Sequence, residues 1–165
     1  MSYPKRKHPR LKHYDYSLPG YYYVTVHITA EGPFLSTVVE SNAPTRVAVR
    51  LTAAGEIVQQ QLLVLQQRYS NVIIDKYVIM PTHIHAIIRL TELPPGQKGP
   101  SIMDTVGVFK SLATRLCNQL DNTPGRQVFQ VSFFENVLRN EKAYQECWRY
   151  IEENPLKWFL NPEDL

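Results

Sequence analysis

Two apolar strands joined by a tight turn constrain the fold of this chain more than any other feature. Residues 77–90 read YVIMPTHIHAIIRL, in which Pro81 marks the turn and His83 and His85 open the second strand. Successive side chains of a strand point to opposite faces, so the two histidines share one face and Ile84 lies on the other. Two adjacent imidazoles suit a divalent metal ion. Taken alone, such a pair is more often found at a surface or in a turn than in a metal site. Whether these histidines bind a metal therefore has to be judged from other segments of the chain.

Length and composition predict one globular domain. A chain of 165 residues with 44% hydrophobic content can bury a sizeable core. The net charge of +3 is compatible with nucleic acid but is equally common on other surfaces. Cys117 and Cys147 are isolated, which argues against a disulfide framework or a zinc ribbon and favours the cytoplasm. No apolar run reaches the roughly 18 residues of a membrane span, so we expect no membrane association.

The periodicity of the remaining segments predicts alternating strands and helices. The predicted elements are a strand at 21–29, a hairpin at 34–40 and 45–51, a helix from Thr52 to about 69, strands at 72–80 and 83–90, a helix from Ser101 with an apolar stripe reaching Leu120, a strand at 128–138, and a helix capped by Asn140 and ended by Pro155. Without the hairpin and the last helix this order is βαββαβ. It predicts an α+β, ferredoxin-like split βαβ antiparallel sheet with helices on one face and an additional C-terminal helix.

Two further residues concern the possible site. Tyr150 lies one helical turn before Asn154, at the edge of the apolar side of the last helix, so we expect it near the sheet. The plain interpretation is a boundary tyrosine whose ring packs and whose hydroxyl meets water. His27, in the first strand, is expected to be a packed histidine rather than a ligand, because no partner of matching spacing accompanies it.

Basic side chains are concentrated in an N-terminal arm, residues 1–20. This arm can lie along phosphates, with Tyr14 available to stack on bases, or it can be a solubilising tail. The polar side of the helix after Ser101 offers further contacts to a nucleic-acid backbone, although solvation explains it equally well. The candidate DNA-binding residues are therefore Lys5, Arg6, Lys7, Arg10, Lys12, Tyr14, Lys110, Ser111 and Arg115.

Taken in order, these motifs resemble a known family. MPTHIH at 80–85 resembles the HUH signature of single-tyrosine transposases, and YIEENP at 150–155 resembles their catalytic helix. The similarity is greatest to the REP-associated tyrosine transposases. Four further blocks occur in that family's order, namely RLKHYDYS at 10–17, AGEIV at 54–58, FKS at 109–111 and RNE at 139–141. The resemblance extends from about Arg10 to Trp158.

The resemblance implies a metal-dependent endonuclease and strand transferase that acts on single-stranded DNA beside a REP-like hairpin. It implies that Tyr150 is the nucleophile and forms a 5′-phosphotyrosine. It also implies that His83, His85 and Asn154 bind Mg²⁺ or Mn²⁺. Residues 21–165 would form a single HUH transposase-like catalytic domain, acting as a monomer or a homodimer.

The sequence departs from the family pattern at several positions. Thr82 stands where the family usually has asparagine, and Val131 and Asn136 differ in the block before the last helix. These differences leave the predicted metal ligands intact, but they affect which DNA contacts and how much activity the resemblance implies. Two alternatives therefore stand beside the enzyme: a non-catalytic nucleic-acid-binding domain of the same fold, as in a domesticated relative, and a structural metal-binding domain.

Overall fold

The computed structural model of the protein describes residues 10–162, and its elements follow the predicted order. They are β1 (Gly20–His27), β2 (Ser36–Glu40), β3 (Val47–Leu51), α1 (Ala53–Arg68), β4 (Val72–Ile79), β5 (His83–Leu90), α2 (Ile102–Asp121), β6 (Phe134–Leu138) and α3 (Glu141–Leu160). Strands β4-β5-β1-β6 form an antiparallel sheet in that spatial order, and β2 and β3 pair as a separate hairpin. This is the ferredoxin-like arrangement, so the predicted fold class is confirmed.

The main core lies between the sheet and the helices α1 and α2. Alternate residues of β1 and β5 face these helices, and the apolar stripes of the two helices pack against them. The buried members include Tyr22, Val24, Val26, Ile84, Ala86 and Ile88 from the strands, and Val58, Leu62, Phe109 and Ala113 from the helices. The stripe of α2 continues through buried Cys117, whereas Leu120 is half exposed, one residue before the helix ends at Asp121.

Local signals in the sequence fix where the helices begin. Thr52 caps α1 by accepting a hydrogen bond from Gly55, and Asn140 caps α3 in the same way at Ala143. Ser101 and Asp104 form a capping box at the start of α2. Gly55 also permits a close approach, since a Cβ there would lie 1.8 Å from the Leu35 carbonyl oxygen.

The third helix covers the opposite face of the sheet. A small buried cluster of Tyr23, Ile87, Leu138 and Ile151 joins α3 to that face. By strand alternation His83 and His85 point to the same side as Ile87, so α3 lies over the two histidines. Within residues 10–162, no helix has both the length and the apolar character needed to cross a membrane.

Two predicted boundaries are wrong. Pro155 lies inside α3, which continues to Leu160. A proline removes one helical hydrogen bond, but the following turn brings the Trp158 ring to 5.9 Å from that of His83, and this packing supports the continuation. The last strand begins at Phe134 rather than at residue 128. The segment before it makes only an isolated bridge, Ile28 to Phe129, because β1 has already ended at His27.

Candidate functional site

The two histidines at the start of β5 are neighbours on the face covered by α3, as the sequence predicts. Their ring centroids are 4.6 Å apart, and both side chains are buried. In the ladder between β1 and β5, His83 lies opposite His27 and His85 lies opposite Thr25. The sheet therefore fixes both imidazoles before any ligand is bound.

One nitrogen of each imidazole is already engaged. The Nδ1 atom of His85 lies 2.8 Å from the Tyr23 hydroxyl and 2.9 Å from the Thr25 hydroxyl. The Nδ1 atom of His83 lies 3.1 Å from the hydroxyl of Thr82. Partners at Nδ1 orient a ring and direct Nε2 toward a ligand. His85 Nε2 is buried, and no described residue forms a hydrogen bond with it.

Both imidazoles are neutral at pH 7. Burial, followed by the nearby His27 ring, lowers the pKa of His83 to about 4, and the Asn154 amide offsets part of this shift. Burial, followed by the neighbouring His83 ring, holds the pKa of His85 well below its usual value. A neutral imidazole keeps the lone pair that a metal ion requires, so no proton has to be displaced first.

Asn154 brings an amide to the same place. Its side chain is fully buried, yet within residues 10–162 neither Oδ1 nor Nδ2 has a hydrogen-bond partner. Asn154 is close enough to His83 to perturb its pKa, although the contact does not meet the geometry of a hydrogen bond. Leaving a buried polar group unpaired costs about 1–3 kcal/mol, so its retention calls for an explanation.

The unpaired atoms fit a divalent ion. Imidazole nitrogen combined with an amide oxygen is a donor set that suits Mn²⁺ and also accepts Mg²⁺. Across residues 10–162, no three His, Cys, Asp or Glu side chains are grouped to hold a metal. An ion at this place would therefore need the amide of Asn154 in addition to His83 and His85.

Tyr150 lies at the rim of this cluster. Its ring centroid is 5.3 Å from that of His85, in an edge-to-face arrangement, and 37% of the residue is exposed. The ammonium group of Lys157 lies 5.3 Å from the centroid of the same ring. The phenol is therefore accessible to a large ligand and adjacent to both the histidine pair and a positive charge.

The structure gives His27 a neighbour that the sequence did not predict. Its ring centroid is 5.2 Å from that of His83, so a partner does lie beside it, across the sheet. Burial lowers the pKa of His27 as well. His27 and His83 are too far apart in the sequence for their spacing to predict this contact. Only the pairing register of β1 with β5 reveals it.

The predicted DNA-binding residues of the arm have different environments. Lys5, Arg6 and Lys7 lie outside the described residues. The Arg10 guanidinium pairs with buried Glu135, at 3.2 Å from Nε to Oε2, and lies over the Phe133 ring. Lys12 is exposed, and Tyr14 packs edge-to-face against Tyr16. The Tyr14 hydroxyl also lies 3.5 Å from that of Tyr22 in β1, so Arg10 and Tyr14 hold the arm on the domain.

The predicted DNA-binding residues of α2 lie on the helix that covers the other sheet face, away from the histidines. The ammonium of Lys110 donates hydrogen bonds of 2.6 and 2.9 Å to the carbonyl oxygens of Gln130 and Val131. Ser111 and Arg115 are exposed to solvent. Lys110 thus secures the segment before β6, whereas the other two side chains are free to meet a ligand.

Comparisons with known proteins bear on the fold of the chain. No protein-family model matches the chain. An uncharacterised protein of Haemophilus influenzae is 28% identical over 169 residues, covering 93% of this chain and 89% of its own. A solved structure of a REP-associated tyrosine transposase bound to a REP hairpin superposes with a TM-score of 0.64 at 20% identity, covering 91% of this chain and 74% of that one. A Deinococcus radiodurans structure matches with a TM-score of only 0.49 at 14% identity. The chain therefore has the fold of a REP-associated tyrosine transposase, as its sequence motifs predict.

Proposed function

We propose that the protein is a metal-dependent endonuclease and strand transferase for single-stranded DNA, related to the REP-associated tyrosine transposases. One observation carries the proposal: the Tyr150 ring lies 5.3 Å from His85, beside the buried and unpaired His85 Nε2 and Asn154 amide. The shared fold supports it, since the matched transposase was solved with a REP hairpin. We extend hairpin recognition to this chain on that basis.

In the proposed reaction, the Tyr150 hydroxyl oxygen attacks a backbone phosphorus. The bond from phosphorus to the 3′-oxygen breaks, the 3′-oxygen takes up a proton as the phenol loses one, and a 5′-phosphotyrosine remains. A free phenol has a pKa near 10, so it needs activation at neutral pH. The new ester keeps the energy of the old one, so a second 3′-hydroxyl can reverse the step and join strands.

His83, His85 and Asn154 would hold the divalent ion, Mg²⁺ or Mn²⁺. When bound, such an ion supplies charge neutralisation at the phosphate and polarises the leaving oxygen. The chain's own contribution is to keep both imidazoles neutral and oriented, through burial and through the Nδ1 contacts of Tyr23, Thr25 and Thr82.

The resemblance implies that the substrate is single-stranded at the cleaved bond. Exposed Lys12, Ser111 and Arg115 are the proposed backbone contacts among the described residues. Phosphate contacts of this kind give salt-sensitive affinity without sequence reading. Since Tyr150 and both histidines belong to one chain and lie together, we propose that a monomer carries the complete site.

The test is adduct formation on a pool of hairpin oligonucleotides with randomised single-stranded flanks, in the presence of Mn²⁺. Wild-type protein should form a covalent adduct that survives denaturing electrophoresis. Tyr150→Phe should bind the pool but form none. Tyr69→Phe is the matched control, because Tyr69 caps α1 and lies on another element. Equal binding by wild type and Tyr150→Phe with no adduct from either would favour the non-catalytic binding domain instead.

A further inference from the structure

Apolar contacts alone attach α3 only weakly to the sheet. Of its 20 residues, Ile151 and Asn154 are the ones buried. The apolar cluster beneath it is small, and burying the unpaired Asn154 amide opposes docking. The rotation of this helix about its own axis therefore depends on contacts at its edges.

An irregularity in β4 supplies such contacts. The pairing of β4 with β5 shifts between Ile74 and Lys76, which makes Asp75 the extra residue of a β-bulge. Before the bulge Ile74 packs toward the core beneath α1, and after it Tyr77 does so, with its hydroxyl bonded to Gln59 of α1. The alternation of side chains is thereby reset, and this lets Asp75 and Lys76 both reach α3. Bulges commonly re-aim side chains in this way.

Two consecutive residues of β4 contact three successive turns of α3. The Tyr144 hydroxyl donates to Asp75 Oδ2 at 2.5 Å. Lys76 pairs with Glu152, and its ammonium lies 4.0 Å from the ring centroid of Trp148. Tyr144, Trp148 and Glu152 are spaced four residues apart, so they form one edge of the helix. Lys76, held between a carboxylate and an indole, is the centre of this contact.

We propose that Lys76 is a positioning residue that sets the rotation of α3 and thereby the placement of Tyr150 beside His85. This inference rests on the proposed function and names a further residue that the function requires. Glu152 and Tyr150 are two residues apart, which is about 200° around a helix of 3.6 residues per turn. They therefore lie on opposite edges, and a rotation that loosens one displaces the other.

A small rotation is enough to matter. For a helix about 10–12 Å in diameter, a rotation of about 10° moves a side-chain tip by about 1 Å. A misplacement of about 1 Å can lower a rate by up to about 100-fold. An ion pair and a cation–π contact at this level of exposure are together worth about a factor of 10 in the population of the aligned helix.

The test compares the steady-state cleavage kinetics of Lys76→Met, Lys76→Arg and wild type. Methionine keeps the aliphatic stem and removes the charge. We expect kcat to fall about 10-fold while KM for the hairpin DNA changes less than about 2-fold, because positioning acts on the reaction and not on binding. Lys76→Arg should recover most of the rate, since arginine can also pair with Glu152 and stack on Trp148. Lys142→Met is the control, because Lys142 is an exposed α3 lysine that pairs with Glu146 of its own helix.

Hydrogen exchange of the amides of residues 141–160, measured without metal or DNA, gives a readout independent of catalysis. Lys76→Met should exchange several-fold faster over α3, and Lys76→Arg should restore protection. Unchanged exchange, unchanged kcat, or a rise in KM that accounts for the whole loss would each overturn the role of Lys76. An absence of adducts from wild type would instead overturn the proposed function, and the exchange result would still report on docking.

Discussion

Replacing Asn154 with leucine should stabilise the metal-free protein. The Asn154 side chain is fully buried, and both of its polar atoms lack hydrogen-bond partners in the part of the chain that the structure describes. Leucine has a similar volume and no polar atoms, so the substitution removes a desolvation cost of about 1–3 kcal/mol. For a domain of this size each kcal/mol corresponds to about 2–4 °C in the melting temperature.

The same substitution should remove the response to metal. A divalent ion present at 100 times its Kd stabilises the protein that binds it by about 2.7 kcal/mol. We expect Mn²⁺ to raise the free energy of unfolding of wild type by an amount of this order and to leave Asn154→Leu unchanged. Stability would then be gained at the position where function is lost, as is common for binding sites.

Asn118 provides a matched control, because it is a buried asparagine whose amide is paired. Its Nδ2 donates to the Arg126 carbonyl at 2.8 Å, and its Oδ1 accepts from the Thr123 hydroxyl and the Arg126 guanidinium. Asn118→Leu should therefore destabilise the protein by about 1–3 kcal/mol. Urea unfolding in EDTA, with the midpoint compared at constant m, measures both variants. If Asn154→Leu destabilises as much as Asn118→Leu, the amide is a structural group and the reasoning about the metal site fails.

Three further predictions concern the surroundings of the site. Thr82→Val should weaken Mn²⁺ binding about 10-fold in calorimetric titration, because His83 loses its Nδ1 partner, whereas Thr82→Asn should retain affinity. The metal-free protein should lose stability as the pH falls from about 6.5 toward 4. Over this range His83 takes up a proton in the unfolded chain but not in the folded protein, where burial lowers its pKa to about 4. His83→Gln should flatten the dependence of the free energy of unfolding, measured with urea, on pH over this range. Arg10→Met should lower the free energy of unfolding by about 1 kcal/mol, because buried Glu135 loses a partially exposed counter-ion, and Lys12→Met, at an exposed position, should not.

Much of the fold follows from local sequence signals. The strand period places His83 and His85 together on one face, and the structure confirms this alternation. Capping residues locate the starts of α1, α2 and α3 to the residue. These features depend on contacts between residues close in the chain, so a single sequence contains them.

Features that depend on distant pairing could not be predicted. His27 meets His83 only because β1 and β5 pair in one register. The bulge at Asp75 is visible only in the pairing of β4 with β5, and nothing in that strand's composition marks it. Pro155 was expected to end α3, since local propensity disfavours proline inside a helix, yet packing of the following turn on the sheet outweighs that preference.

In the candidate site, too, some residues could be predicted from the sequence, whereas contacts between distant strands could not. The resemblance supplied Tyr150 and Asn154 as partners of the histidine pair, and the structure brings all four side chains to one place. The Nδ1 contacts of Tyr23 and Thr25 with His85 arise from neighbouring strands and were not predicted. An alternating polar residue within a buried strand, such as Thr25 between Val24 and Val26, is the signal that could have indicated them.

Mass spectrometry of the protein–DNA adduct tests the central claim most directly. Trypsin cleavage after Arg149 and Lys157 yields the peptide YIEENPLK, in which Tyr150 is the single tyrosine. After reaction with hairpin DNA and Mn²⁺ followed by nuclease digestion, this peptide should carry a 5′-linked nucleotide on Tyr150. Cleaved DNA accompanied by an unmodified Tyr150, or by a nucleotide on another residue, would contradict the account.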